Sequence, residues 1–225
     1  MLLGTIFNVV AIVGGTLVGL LLGKRLPGRV NSIMIQALGL VTLLVGAKMM
    51  ITSANSLVVL VSLVLGAVLG ESLGIEKRLN SFGVKVERRF KRKGGTFAKA
   101  FVTTSLLFCV GPLSILGSLQ DGLSGDISLL LTKSGLDGIA SMAFAATMGV
   151  GVLFSTIPVL LYQGGITLGA SMLKPYLSTT LVNAVTATGG LLVVGIALNI
   201  LQVTKIRVAN LLPAILLAAL LSLVV

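Results

Sequence analysis

The chain has 225 residues, of which 56% are hydrophobic and only 10% charged, and its mean hydropathy is +1.12. A soluble core grows too slowly with chain length to hide that much apolar surface, so a water-soluble domain is excluded and the bilayer must be the solvent. The net charge of +11 does not mark a nucleic-acid binder, because nine of the 17 basic residues crowd between Lys77 and Lys99 beside an apolar segment. With no His and the single Cys109, a disulfide framework and the usual zinc clusters are excluded as well.

Apolar length and helix breakers predict an all-α polytopic membrane protein with about eight membrane segments: 2–22, 31–51, 55–74, 97–119, 138–157, 159–173, 178–201 and 207–225. The first run is too long for a cleavable signal peptide and leads straight into the second. The sixth is short, and Pro158 would let the fifth and sixth share a broken, partly re-entrant path. Lys24, Arg25 and Arg29, then the dense cluster after segment three, then Lys205 and Arg207, fall in alternate connections. The positive-inside rule places all three in the cytoplasm, with both termini outside and Lys174 as an exception; the stretch from Ser118 to Gly138 is then the external connection between segments four and five, or dips back into the membrane.

Between segments three and four, Leu79, Phe82, Val86 and Phe90 recur at helical spacing among Lys77, Arg78, Lys85, Arg88, Arg89, Lys91 and Arg92. That is a basic amphipathic helix suited to an anionic leaflet, or a topology-setting loop with no binding role.

An internal repeat organises the rest. Gly14-Gly15-Thr16-Leu17-Val18-Gly19, followed by Lys24, matches Gly164-Gly165-Ile166-Thr167-Leu168-Gly169, followed by Lys174, and Ala37 and Gly39 match Ala187 and Gly189 in the same register. With a small insertion, Ala54-Asn55 corresponds to Ala209-Asn210. Five crossings separate the two starts, so the copies would be inverted three-helix units, as in secondary transporters with a site at the repeat interface. The expected organisation is one transmembrane domain over 1–225. Its parts are repeat unit one (1–74), a basic amphipathic cytoplasmic segment (75–96), a central broken-helix pair (97–157) and repeat unit two (158–225).

Half of the six acidic residues lie in one stretch, Ser118 to Gly138, which holds Ser-x-x-Asp-Gly twice. Asp121, Asp126 and Asp137 stand among glycines, downstream of Gly111-Pro112, a break that frees backbone carbonyls and amides. Carboxylates beside irregular backbone suit a cation or proton, with Ser118 and Ser134 as added hydroxyl ligands. The bland alternatives are a solvated external loop whose Asp and Gly make turns, and serines that cap helices. Glu71 and Lys48 read as boundary charges that snorkel, Lys48 having the option of pairing with one of the three aspartates. The amides Asn8, Gln36, Gln163, Asn183 and Asn199 read as helix–helix glue, with Asn8 and Asn183 deepest. The glycine faces around Gly14 and Gly164 allow close packing within the chain or in a homodimer.

No catalytic set emerges. Gly122-Leu-Ser-Gly-Asp126 misses the spacing of an intramembrane aspartyl protease. Asp137-Gly-Ile-Ala-Ser141 lacks the arginine of a phosphatidyltransferase, and metal hydrolysis is hard to assemble without His. Cys109 stands in apolar sequence, where a thiol is inert.

The motifs Phe108-Cys-Val-Gly-Pro-Leu-Ser-Ile-Leu-Gly117, Gln-Asp-Gly-Leu-x-Gly-Asp126, Thr-Lys-Ser-Gly-Leu-Asp-Gly138 and Leu-Tyr-Gln-Gly-Gly165 resemble the YqgA/YdfK-like family of bacterial inner-membrane proteins. The resemblance implies a bacterial plasma-membrane location and brings no substrate or functional residues with it.

The expectation is therefore a transporter or channel for a small solute or ion, not an enzyme, with no cofactor beyond a coupling cation or proton. Its site would use Asp121, Asp137, Asp126, Ser118, Ser134, Gly111, Pro112, Gln163, Gly164 and Asn8. The alternative is a non-transporting scaffold or regulator that binds anionic lipid or a partner through 76–93, with Lys85, Arg88, Arg89, Lys91 and Arg92 as lipid contacts.

Overall fold

The computed structural model describes residues 2–23, 27–51, 54–89, 96–110, 112–173 and 178–223. Lys24, Arg25, Phe90, Lys91, Arg92, Gly111 and Lys174 lie outside the described residues, as do the side chains of Phe82, Val86, Arg88, Arg89 and Pro112. Every regular element among the described residues is helical: α1 (Leu3–Gly23), α2 (Gly28–Met50), α3 (Ser56–Leu73), α4 (Ile75–Arg89), α5 (Phe97–Cys109), α6 (Pro112–Ser124), α7 (Ser128–Met148), α8 (Gly151–Phe154), α9 (Thr156–Leu168), α10 (Ala170–Leu173), α11 (Thr179–Ile200) and α12 (Pro213–Leu221), the last preceded by a 3₁₀ turn, Val208–Leu211.

Local chemistry sets several boundaries. Asn55 caps α3 by accepting from the Leu57 N–H (3.0 Å), and Ser178 caps α11 by accepting from the Leu181 N–H (3.1 Å). Gly74 ends α3 at φ 61°, a left-handed conformation that glycine adopts without strain. Pro213 sits in the first turn of α12, where its missing N–H costs no helical bond.

Five helical stretches are long and apolar enough to cross a bilayer: α1, α2, α3, α8 with α9, and α11. The pair α5 and α6, bent by 56° across its break, makes a sixth if the two cross as one span. A helix of 21 residues is about 32 Å long, the thickness of a hydrocarbon core. Leu17, Leu21, Leu40, Leu44, Leu60 and Val64 are exposed on these helices, as lipid-facing residues must be. The central helix is α11, buried along most of its length.

Glycine contacts give the packing register. Along α1 and α7, Gly4 meets Leu130, Gly15 meets Gly138 and Ser141, Gly19 meets Met142, and Gly23 meets Ala146, so the two helices run parallel. Gly39 of α2 meets Ile200 and Leu201, while Gly46 meets Gly190 and Val194, so α2 and α11 run antiparallel. Gly66 of α3 meets Ala214 and Gly70 meets Asn210, again antiparallel. The missing Cβ lets these backbones touch, which is how helices gain packing energy where lipid removes the hydrophobic drive.

Three sequence expectations need correction. The stretch 120–137 is not a loop: α6 reaches Ser124, α7 starts at Ser128, and only 125–127 connects them. Gly125 makes that reversal at φ 73°, its N–H donating to the Asp121 carbonyl (3.0 Å). Pro158 does not divide two spans: it lies in the first turn of α9, just after the α8–α9 interruption at Ser155, and the chain breaks earlier as well, at Gly149, with φ 88°. Neither serine of the Ser-x-x-Asp-Gly repeats caps a helix; both are internal to α6 and α7.

Candidate functional site

The parallel seam of α1 and α7, closed by α6 and α9, buries a set of polar side chains inside an apolar bundle. Asp137, mid-way along α7, is 6% exposed, as is Lys133 one turn earlier. The Lys133 Nζ donates to Asp137 Oδ2 (2.7 Å) and Oδ1 (2.9 Å) and stands over the Phe108 ring, 6.0 Å from its centroid. Asn8 Nδ2, from α1, donates to Asp137 Oδ2 (3.0 Å) and to Gln163 Oε1 of α9 (3.2 Å). Gln163 Nε2 then donates to Ser114 Oγ of α6 (3.0 Å). One hydrogen-bonded chain thus ties four helices together.

Asp121 is 1% exposed, on the face of α6 that carries Ser114 and Ser118. Its Oδ2 accepts from the Gly4 N–H (3.2 Å), one of the amides that the first turn of α1 leaves without an intrahelical partner. Its Oδ1 has no partner among the described residues, and neither do Ser118 Oγ, Thr5 Oγ1, Thr167 Oγ1 or Asn8 Oδ1, all buried. No cation pairs with Asp121 among the described residues. Gly4 and Asn8, whose groups reach the two carboxylates, are one turn apart on α1, about 6 Å along that helix.

Of the residues singled out from the sequence, Asp121, Asp137, Ser118, Asn8 and Gln163 share this region. Gly164 lies beside it, against Leu2. Ser134 is buried but returns its hydroxyl to the Leu130 carbonyl of its own helix (2.7 Å). Asp126 is elsewhere, exposed on the 125–127 turn. It accepts there from the Ser128 N–H (2.9 Å), the Ser128 hydroxyl and Gln120 Nε2 (both 2.6 Å), which together hold its carboxyl below the usual range. The turn reading therefore holds for Asp126 and fails for the other two. Lys48 is exposed and makes no ion pair among the described residues. Sequence reasoning missed Lys133, whose i,i+4 spacing to Asp137 was the available signal, and Ser114, Thr5 and Thr167, which carry none.

At the opposite end of the bundle, Glu71 pairs with Arg207 in an exposed contact and accepts from Asn210 Nδ2 (2.6 Å), while Asn210 Oδ1 accepts from the Glu76 N–H (2.7 Å). Beneath α4 a cavity of about 310 Å³ is lined by Glu76, Asn80, Lys99, Asn199, Lys205 and apolar side chains. Partial burial lifts the Glu76 carboxyl above its usual range, and the Arg207 charge pulls it back. This cavity contains none of the residues of the carboxylate site.

A family model described as "Protein of unknown function (DUF554)" matches residues 3–223. The chain belongs to the DUF554 family. The resemblance carried by the central motifs is therefore sound. Two relatives in the family have similar lengths. "Uncharacterized membrane protein YdfK" of Bacillus subtilis (strain 168) is 35% identical over 217 residues, covering 95% of this chain and 92% of the relative. "Uncharacterized protein YqgA" of Escherichia coli (strain K12) is 32% identical over 227 residues, covering 99% and 97%. No solved structure matches the chain. The DUF554 assignment fits a helical membrane protein and leaves its activity to the site's own chemistry.

Proposed function

We propose that this chain is a secondary transporter or channel for a small solute or ion in the bacterial plasma membrane, with its site at Asp121 and Asp137. The observation that carries the reading is the burial of both carboxylates among apolar spans. A central Asp costs about 2.5–3.5 kcal/mol to insert, so such groups mark ion or substrate paths. The bent pair α5 and α6 supports it, because broken helices bring backbone dipoles to membrane depth.

The same reading takes the chain to cross eight times, with α7 and α12 joining the six apolar spans. In its favour, the parallel pair α1 and α7 and the antiparallel pairs α2–α11 and α3–α12 have the relative directions that eight crossings produce. Arg29, Lys77, Lys99, Lys205 and Arg207 then fall on one side, with both termini opposite. An inverted repeat is supported by the antiparallel pairing of the second and third helices of each unit. Its Asn55 and Asn210 each stand just before the third helix. Homodimerisation is part of the proposal only as an assembly that the open faces at Gly14 and Gly165 permit.

Proteoliposomes test this through proton uptake and fluxes of small cations, anions and amino acids. Flux that falls at least tenfold in Asp121→Asn and Asp137→Asn supports the assignment. Flux unchanged in both variants removes it. A second reading, a lipid-binding scaffold without transport, is favoured by amphipathic α4 and the Lys99/Lys205 cavity beneath it. It would gain if purified protein binds anionic vesicles through Lys85 and its neighbours while showing no flux.

A further inference from the structure

The two buried carboxylates are not equivalent. Asp137 is neutralised by Lys133 and holds an amide donor as well, so its oxygens are occupied. Asp121 has one backbone donor on Oδ2 and nothing on Oδ1 among the described residues. Three further buried oxygens without partners among the described residues belong to helix segments that adjoin it. Ser118 is one turn back on the same face of α6. Thr5 follows the Gly4 amide that holds Asp121. Thr167 belongs to the segment of α9 whose backbone abuts Gly122, next to Asp121. The register is fixed one turn away, where Ser114 of α6 is bonded to Gln163 of α9.

We propose that Asp121 Oδ1 and the hydroxyls of Ser118, Thr5 and Thr167 form a binding site for a dehydrated monovalent cation of sodium's size. The donor set decides the class. One carboxylate and three neutral hydroxyls are hard oxygen ligands, and a single positive charge cancels the carboxylate that no cation among the described residues balances. A divalent ion would leave a buried net charge, because Asp137 is already committed to Lys133. Four oxygens that lack partners among the described residues each lose hydration on burial, and a shared cation restores contacts to all of them. The site deepens the transport reading by naming the coupling ion, yet binding can be measured without transport.

The test is the thermal stability of the full chain, purified in detergent, titrated with sodium chloride at constant ionic strength against potassium and choline chloride. Sodium is expected to raise the melting temperature saturably, with choline inert and potassium at least tenfold weaker. Asp121→Asn is expected to abolish the response, while Ser118→Ala and Thr167→Val should shift half-saturation upward by threefold or more. The two hydroxyl variants keep the test valid if the Asn variant fails to fold. A wild-type response that is absent, equal for choline, or driven by pH alone overturns the site. So does a sodium response preserved in Asp121→Asn or in both hydroxyl variants. Sodium binding without any flux sinks the transport reading and leaves the site standing. Flux that is independent of sodium, in a protein whose melting temperature does not respond to sodium, does the reverse.

Discussion

Removing the Lys133 ammonium while leaving Asp137 in place should be among the most damaging single changes in the molecule. At the surface such an i,i+4 pair would be worth about 0–1 kcal/mol. Here both residues are 6% exposed, and the ammonium reaches both carboxylate oxygens. Loss of one partner from a buried pair costs about 3–5 kcal/mol, because the other charge stays desolvated. For a chain of this size, that lowers the melting temperature by about 6–20 °C. Replacing both partners with apolar residues of similar volume removes the stranded charge. The double variant Lys133→Met/Asp137→Leu should therefore lie within about 2 kcal/mol of wild type, the remainder being the lost Asn8 bond. Cys109 supplies the assay: it is the chain's single cysteine and is buried, so a thiol-reactive fluorophore labels it only on unfolding. A Lys133→Met variant melting within about 2 °C of wild type, on the order of 1 kcal/mol or less, would rule out a stranded buried charge. So would a double variant as unstable as the two singles summed.

Other outcomes follow from the packing and the turns. Gly15→Ala should cost about 1–3 kcal/mol in the same assay, since its Cβ runs into the Gly138 carbonyl and the Ser141 hydroxyl. Gly14→Ala meets nothing within 4 Å and should be neutral or slightly stabilising. Asn210→Ala should cost about 1–3 kcal/mol, because it strips partners from Glu71 and from the Glu76 amide. Arg207→Ala, whose ion pair with Glu71 is 64% and 53% exposed, should cost under about 1 kcal/mol. The depressed Asp126 carboxyl adds stability above the usual carboxylate pKa that is lost as pH falls through its folded value. Asp126→Asn should accordingly flatten the acid side of the stability profile. In a Cys109→Ser background, a membrane-impermeant maleimide should label cysteines at Asp126 and Lys205 from opposite sides; labelling from the same side would break the eight-crossing arrangement.

The bundle was legible where apolar runs are unbroken. The spans drawn at 2–22, 31–51, 55–74 and 178–201 match α1, α2, α3 and α11 closely, because lipid leaves a helix as the one way to satisfy an isolated backbone run. The segment boundaries and the loop alternative failed between 120 and 137 because Asp, Ser, Gly and Lys lower the local hydropathy and imitate a turn. Tertiary partners override that local signal. Lys133 neutralises Asp137, Asn8 and the Gly4 amide reach the two carboxylates from α1, and Gly138 sits flush against Ala11. None of these contacts except the Lys133–Asp137 spacing is written locally. The importance of Asn8 and Gln163 was legible as in-membrane amides, but that they meet each other was not, since 155 residues separate them.

Whether the buried carboxylates form a transport site can be read from capacitive currents. Purified protein is reconstituted on a solid-supported membrane and subjected to sodium, potassium and proton concentration jumps. A transport site at Asp121 and Asp137 gives a transient current in wild type that Asp121→Asn and Asp137→Asn each reduce at least tenfold at equal protein loading. A wild-type current that both variants retain in full, or no current under any of the jumps, would show that these carboxylates carry no transport.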